Sequence, residues 1–391
     1  MKPFAAIPAH IPRSGIREVM DLAWQAEKEG EVIHLEVGQP DFDTPAHIVE
    51  ATCRYVRQGY TRYVPNAGMD ALREAVARHV QRRTGVSTAP GNILITPGAV
   101  MSVATACVGL LEVGDEVLLP DPGWPNYTMA VALTHGKPIY YSLPPERGYL
   151  PDLDELEGLV SPRTKILLLC SPSNPTGQVY DEASMRQLVD FAHRHDLWVL
   201  SDEIYGDIVF ERPHVSALPF DQDGRVLLVS GMSKSYAMTG YRVGFTRACP
   251  EYIEMAAKLQ EPFVSCGSGF SQLAAVEALT GPQDCVAQMR AAYQRRRDAA
   301  LDVLREYGMY QYTPGGAFYL LIDVSASGLD GRAFTLELIR QKRVAVAPGT
   351  TFGRISSRHV RISIASAEDT IREGVHRICQ LVRQLEASRS G

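Results

Sequence analysis

Residues 165–205, KILLLCSPSNPTGQVYDEASMRQLVDFAHRHDLWVLSDEIY, decide the fold. KILLLC (165–170) and LWVLS (197–201) are near-continuous aliphatic runs, the pattern of strands covered on both faces. Between them, MRQLVDFAHRH (185–195) spaces its apolar residues three and four apart, the period of a helix with one buried face. Strand, helix and strand in that order make a parallel crossover unit. The alternation continues outward, with NILIT (92–96), VATACVGLL (103–111) and EVLLP (116–120) before it and RVLLVS (225–230) after it. From about residue 90 to 245 the chain therefore reads as α/β, a mostly parallel sheet between helices.

The two ends read differently. Residues 14–30 form one amphipathic stretch, and a long helical pattern opens near 286 (VAQMRAAYQRRRDAALDVLREYG). TPGGAFYLLIDV, a helix ending near KRV, a short VAVAPG strand, VRISIA and a final amphipathic helix follow it. The expected organisation is a large domain over 48–285 and a smaller α+β domain built from 1–47 and 286–391. The run Arg295, Arg296, Arg297 is read as a solvated helix face.

Composition narrows the function. The chain has 391 residues, 45% of them hydrophobic and 21% charged, which fits a soluble globular protein of two or three domains at roughly 150 residues each. The net charge of −6 and the lack of a dominant basic stretch argue against nucleic acid as a partner. No run approaches the roughly 18 apolar residues of a membrane helix, and the first thirty residues lack a signal-peptide core, so the expected location is cytoplasmic, without a membrane partner. The seven cysteines are scattered and never spaced CxxC, which speaks against a disulfide framework and against a metal site. No GxGxxG follows a strand pattern with an acidic residue about twenty positions on, so a dehydrogenase reading fails.

In an open parallel sheet, ligands sit outside the carboxyl ends of the strands. KILLLC runs into SPSNPTG with Asn174, LWVLS into DEIY with Asp202 and Tyr205, and RVLLVS into GMSKSYAMTGYR with Lys234 and Arg242. An amide, a carboxylate beside a phenol, and an amine with a guanidinium would then face one crevice. A lysine among other cations in a partly desolvated site sheds its proton readily and can attack a carbonyl. A carboxylate buried at a strand end needs a cationic partner, and a protonated pyridine nitrogen is one. Pyridoxal phosphate meets the whole set, offering an aldehyde to Lys234, a ring nitrogen to Asp202, a phenolic oxygen to Asn174 and Tyr205, and a phosphate to Arg242.

GMSKSYAMTGYRVGF closely resembles the lysine signature of class I and II aminotransferases, the fold-type I group of pyridoxal-phosphate enzymes. Supporting motifs lie in the family's order: LEVGQPDFDTP, RYVPNAGMDALREAV, TPGAV, DPGWPNY, SPSNPTG, SDEIY, PGGAFY, APGTTFG and VRISIA. The resemblance spans about residues 13–385 and implies a homodimeric transaminase with a ping-pong cycle.

The resemblance assigns roles to these positions. Lys234 is the lysine that condenses with the cofactor and later carries the substrate's α-proton. Asp202 keeps the pyridine nitrogen protonated, while Asn174 and Tyr205 bond the phenolic oxygen. Trp124 stacks on the ring. The phosphate is expected on the backbone amides of Ala99 and Val100, with Arg242 beside it and Tyr63 reaching over from a neighbouring subunit. Arg361 clamps the substrate α-carboxylate, helped by Gly38 and Asn174. Tyr319 and Phe352 are candidates for the pocket wall or for plain core packing.

Two positions depart from the family pattern. Gly231 stands where many relatives have a phosphate-binding serine, leaving Ser230, Ser233 and Ser235 as possible substitutes. In the phosphate turn, Val100 replaces a lysine that pairs with the distal carboxylate in bacterial aspartate aminotransferases, so a neutral L-amino acid is the expected donor, with 2-oxoglutarate or pyruvate as acceptor. Arg13 and Arg17 are other cations that could take that lysine's place. C–S lyases and other enzymes of the same scaffold share the reactive residues and remain the alternative. A catalytically inactive regulatory homologue is the alternative of another class, opposed by the complete reactive set and by the lack of room before residue 13 for a DNA-binding domain.

Overall fold

The computed structural model describes residue 4, residues 7–11 and residues 15–390. Among the described residues there are twelve strands: β1 (Ile33–His34), β2 (Ile93–Thr96), β3 (Glu116–Asp121), β4 (Lys137–Ser142), β5 (Thr164–Cys170), β6 (Trp198–Asp202), β7 (Val226–Gly231), β8 (Gly244–Arg247), β9 (Tyr319–Asp323), β10 (Val344–Ala345), β11 (Ala347–Pro348) and β12 (His359–Ser363). Seven of them form the main sheet in the order β2-β8-β7-β6-β5-β3-β4. Only β8 runs against its neighbours, and every other pairing in the sheet is parallel.

Both faces of this sheet are buried, which is why its strands are aliphatic throughout. Leu167 and Leu169 of β5 belong to one apolar cluster, while Ile166 and Leu168 belong to another on the opposite face. Each such side chain contributes on the order of 1.5–3 kcal/mol by leaving water. The two strands that the aliphatic runs do not reveal have local reasons. β4 is a partly exposed edge strand that carries Pro138, and β8 has only four residues.

The chain's two ends meet. β1 pairs in parallel with β10 (Ile33 opposite Val344), and β11, β12 and β9 form an antiparallel sheet packed under the long helices Asp284–Glu306 and Glu368–Ser390. The amphipathic start is the helix Gly15–Glu27, which buries Val19 and Ala23.

The three-arginine run is not a solvated face. Arg295 is exposed, but Arg296 makes a two-pronged pair with Asp41 at 2.8 Å on both arms. Arg297 is buried, bonded to Glu211, Asp298 and the carbonyl of Pro314. The helical period explains it: positions 293, 297, 300, 301 and 304 turn inward together, and the acids around Arg297 offset its desolvation. Arg297→Ala should therefore lower unfolding stability by about 1–3 kcal/mol, because the Pro314 carbonyl loses its donor. Urea denaturation of the variant checks this, and an unchanged midpoint would contradict it.

Candidate active site

The register of the parallel strands brings the three strand ends to one edge. Cys170 lies opposite Asp202, and Asp202 opposite Val229, so the loops after β5, β6 and β7 leave side by side. Every sequence-predicted site residue except Tyr63 lines one cavity of about 490 Å³ beyond that edge. Tyr63 is 90% exposed and lies apart from it. Arg17 and Ile16, from the first helix, also line this cavity, and Arg13 lies outside the described residues.

Asp202 closes β6 and is 3% exposed. Its oxygens accept from the Tyr127 hydroxyl at 2.7 Å and from the Ile204 amide at 3.1 Å, and among the described residues no cation stands within ion-pairing distance. Burial pushes its carboxyl up to about 6 from an ordinary 3.8, despite those bonds. Such a carboxylate fits a ligand that brings an N–H⁺ to it.

Lys234 sits in the one-turn helix Met232–Ser235, half-buried, and its Nζ donates to the Gly38 carbonyl at 2.6 Å. Burial, then the nearby guanidinium groups of Arg361 and Arg242, push the amine down to about 8 from 10.5. A usable fraction is then the neutral, nucleophilic form near neutral pH. Gly38 has to be glycine, since a Cβ there would fall 2.2 Å from the Tyr319 hydroxyl.

Arg361, in β12, is 1% exposed and bonds the Asn174 side-chain oxygen at 3.0 Å and the Glu36 carbonyl. Its Nε has no partner, and among the described residues it forms no ion pair. The guanidinium lies between the rings of Tyr319 (4.4 Å) and Phe352 (4.8 Å), which hold it flat. A buried guanidinium held by neutral acceptors alone is poised for an external carboxylate.

At the other end of the cavity, the helix Ala99–Leu110 begins after Gly98, whose φ of 82° favours glycine. A Cβ on Gly98 would meet Arg242 at 2.4 Å, and one on Gly244 would meet the Ala99 backbone at 2.4 Å. Arg242 is thus packed onto the start of a twelve-residue helix, where free amide N–H groups and a guanidinium together suit a phosphate. The same crowding accounts for Gly231: a Cβ there would lie 2.8 Å from the Val243 carbonyl, so a serine does not fit without moving β8. Of the candidate hydroxyls, Ser230 bonds the Glu203 carbonyl and Ser235 bonds Asp207, whereas Ser233 lines the cavity with no hydrogen bond to the described residues.

One participant escaped the sequence reading. Tyr127 follows Trp124 by three residues, one helical turn inside DPGWPNY, and its hydroxyl holds Asp202. Tyr319, which the sequence left between pocket wall and core packing, lines the cavity and is bonded to Tyr205 at 2.8 Å. The phenol expected to meet the cofactor oxygen therefore has a protein partner here. Trp124 packs edge-on against Tyr127 at 5.3 Å between ring centres, with its remaining surface toward the cavity. Phe352 stacks on Arg361 and lines a neighbouring apolar hollow of about 630 Å³ that shares Trp124 and Tyr127 with the site.

Comparisons with known proteins agree with this geometry. The family model described as aminotransferase class I and II matches residues 30–378. An aspartate aminotransferase of Pyrococcus horikoshii is 36% identical over 94% of this chain and 94% of its own length. The aromatic-amino-acid aminotransferase 2 of Thermococcus litoralis is 35% identical over 95% of this chain and 96% of its own. A solved structure of Thermus thermophilus aspartate aminotransferase with maleate superposes with a TM-score of 0.93 at 34% identity, covering 97% of this chain and 100% of that one.

In cofactor-free protein, the amine of Lys234 should become reactive toward acetic anhydride with a midpoint near pH 8, as burial and its cationic neighbours dictate. Surface lysines should follow the ordinary value of about 10.4. Competitive labelling with peptide mapping reads both, and a Lys234 midpoint at the surface value would refute the electrostatic account.

Proposed function

The chain belongs to the class I and II aminotransferases, a family of pyridoxal-phosphate-dependent transaminases, and from that premise we propose which residues hold the cofactor and which substrates the site selects. The residues present fit the cofactor: a buried carboxylate without a cation, a depressed lysine amine, and a helix start with an adjacent guanidinium. When bound, pyridoxal phosphate supplies an aldehyde and an electron-accepting ring on which the amino group rests between donor and acceptor.

The protein's own groups then have separate tasks. Asp202 holds a proton at the ring nitrogen, and Tyr127 keeps that carboxylate aimed. Lys234 takes the α-proton on Nζ and returns it one carbon away. Asn174 and Tyr205 address the phenolic oxygen, with Tyr205 steadied by Tyr319. Ala99, Val100, Arg242 and Ser233 cradle the phosphate, and Trp124 covers one face of the ring. Arg361, with Gly38 and Asn174, orients the substrate carboxylate so that the α-hydrogen meets Lys234.

The observation that carries this reading is the buried Arg361 guanidinium, held by neutral acceptors and without an ion pair among the described residues, in one cavity with Lys234 and Asp202. Val100 supplies no charge for a second carboxylate, which favours a neutral amino donor. Arg17 lines the same cavity and is the cation suited to the distal carboxylate of an acceptor such as 2-oxoglutarate.

A homodimer belongs to the same reading. A cleft of about 760 Å³ bounded by Phe42, Tyr241, Arg242 and Phe270 adjoins the site, and the exposed Tyr63 is available to a neighbouring subunit's phosphate. The division at residues 48 and 285 is supported by the pairing of β1 with β10. A cytoplasmic location accords with seven unpaired cysteines.

Two experiments test the function. Loaded enzyme mixed with single amino acids should pass from the aldehyde to the amine absorbance, and borohydride reduction before mixing should leave a pyridoxyl adduct on Lys234. Alanine, leucine or phenylalanine should exceed aspartate in kcat/KM; aspartate leading would overturn the donor assignment, and release of pyruvate and ammonia from cystathionine without an acceptor would favour the lyase. Separately, Arg361→Ala should lower kcat/KM for amino donors by about 2–5 kcal/mol, largely through KM. Kinetics near wild type would remove Arg361 from the carboxylate site.

A further inference from the structure

Behind the catalytic edge lies a second layer of buried polar groups that no step above uses. The segment 201–207 presents Asp202 and Tyr205 to the cavity, whereas Glu203 and Asp207 have their partners elsewhere. Glu203 accepts from Ser201 (3.0 Å), Ser216 (2.8 Å) and the Ala217 amide (3.2 Å), and meets His214 at 2.8 Å. Asp207 pairs with Arg83 of the helix Asp70–Thr84 at 3.1 Å and accepts from the Ser235 hydroxyl at 2.7 Å. Gly206 lets the guanidinium lie against the chain, since a Cβ there would come 2.5 Å from Arg83.

Ser235 follows Lys234. The helix that carries both has four residues and no side-chain cap at its start. A single turn does not sustain itself in isolation, because nucleation fixes several dihedrals for one hydrogen bond. Its hold has to come from outside: besides the buried Met232 side chain and the Lys234 bond to Gly38, the anchors are the Met232 amide on the Val243 carbonyl at 3.1 Å and Ser235 on Asp207. The first fixes the start of the turn and the second its end.

Resting on the transaminase reading, we propose that Asp207, gripped by Arg83, is a positioning residue for Lys234: through Ser235 it fixes the turn from which the amine swings between its two stations in the cycle. A lysine with four rotatable methylenes needs a rigid base if Nζ is to reach the same two carbons in every turnover. Displacement of a reacting group by an ångström costs about a hundredfold in rate.

Holoenzyme of Ser235→Ala, Asp207→Asn and the double variant tests this. Each single change should slow the half-reaction at saturating donor by about ten- to a hundredfold, with KM little altered. The double variant should be no slower than the slower single, because both break one link, and Ser235→Thr should restore the rate. In cofactor-free protein, the labelling midpoint of Lys234 should rise toward the ordinary lysine value in both single variants, as the amine relaxes out of its place beside Arg361 and Arg242.

Wild-type rates and an unmoved labelling midpoint, with only a lower melting temperature, would overturn the proposal, as would multiplicative losses in the double variant. The labelling needs neither cofactor nor turnover. A wild-type enzyme that fails to transaminate would refute the function while the labelling still decides the positioning role.

Discussion

Arg361 lies 1% exposed between two aromatic rings, its nitrogens on an amide oxygen, a backbone carbonyl and nothing. Across the same cavity, Asp202 is equally sealed, with a phenol and an amide for company. Removing such groups from water costs several kcal/mol each even after the protein relaxes. A fold keeps them only if the surrounding structure over-determines their places, or if a ligand completes them. Everything else about the site follows from how the chain supports two opposite charges kept apart, each awaiting an external partner.

The support is topological. Parallel pairing of β5, β6 and β7 forces their carboxyl ends to one edge, so three loops deliver an amide, a carboxylate and an amine without any of them belonging to a flexible excursion. The antiparallel β8 then returns beside β7, and the glycines at 231 and 244 face one another in the ladder. The missing side chain of Gly244 lets the start of the Ala99–Leu110 helix approach to backbone contact, which places its free amides next to Arg242. The small sheet contributes Arg361 from β12 and Tyr319 from β9, which are neighbouring strands, so the guanidinium and the phenol bonded to Tyr205 are held on one ladder.

Much of this was legible in the sequence, and the reason is chemical. Strands buried on both faces have to be aliphatic, and reactive side chains have to follow them, so KILLLC-SPSN, LWVLS-DEIY and RVLLVS-GMSK each announce a strand and its cargo. Contacts between distant segments were not legible. Tyr127 is spaced like any helical residue, and only the packing of β3's trailing helix against β6 aims it at Asp202. Arg296 and Arg297 read as a solvated stripe because Asp41 and Glu211, which pair with them besides the adjacent Asp298, lie far away along the chain. Gly231 looked like a missing serine, whereas the crowding at Gly244 shows a position where a side chain has no room.

Burial links the electrostatics of the two ionisable groups. The burial that raises the carboxyl pKa of Asp202 also lowers the amine pKa of Lys234, so both are drawn toward neutrality. A ligand bringing a protonatable ring nitrogen to one and an aldehyde to the other would relieve both penalties at once. Charges held in a dry, prearranged frame also need no solvent reorganisation when electrons move during reaction. The aromatic side chains of Trp124, Tyr127, Tyr205 and Tyr319 line the cavity, and by occupying space that water would fill they leave the charges beside them less screened.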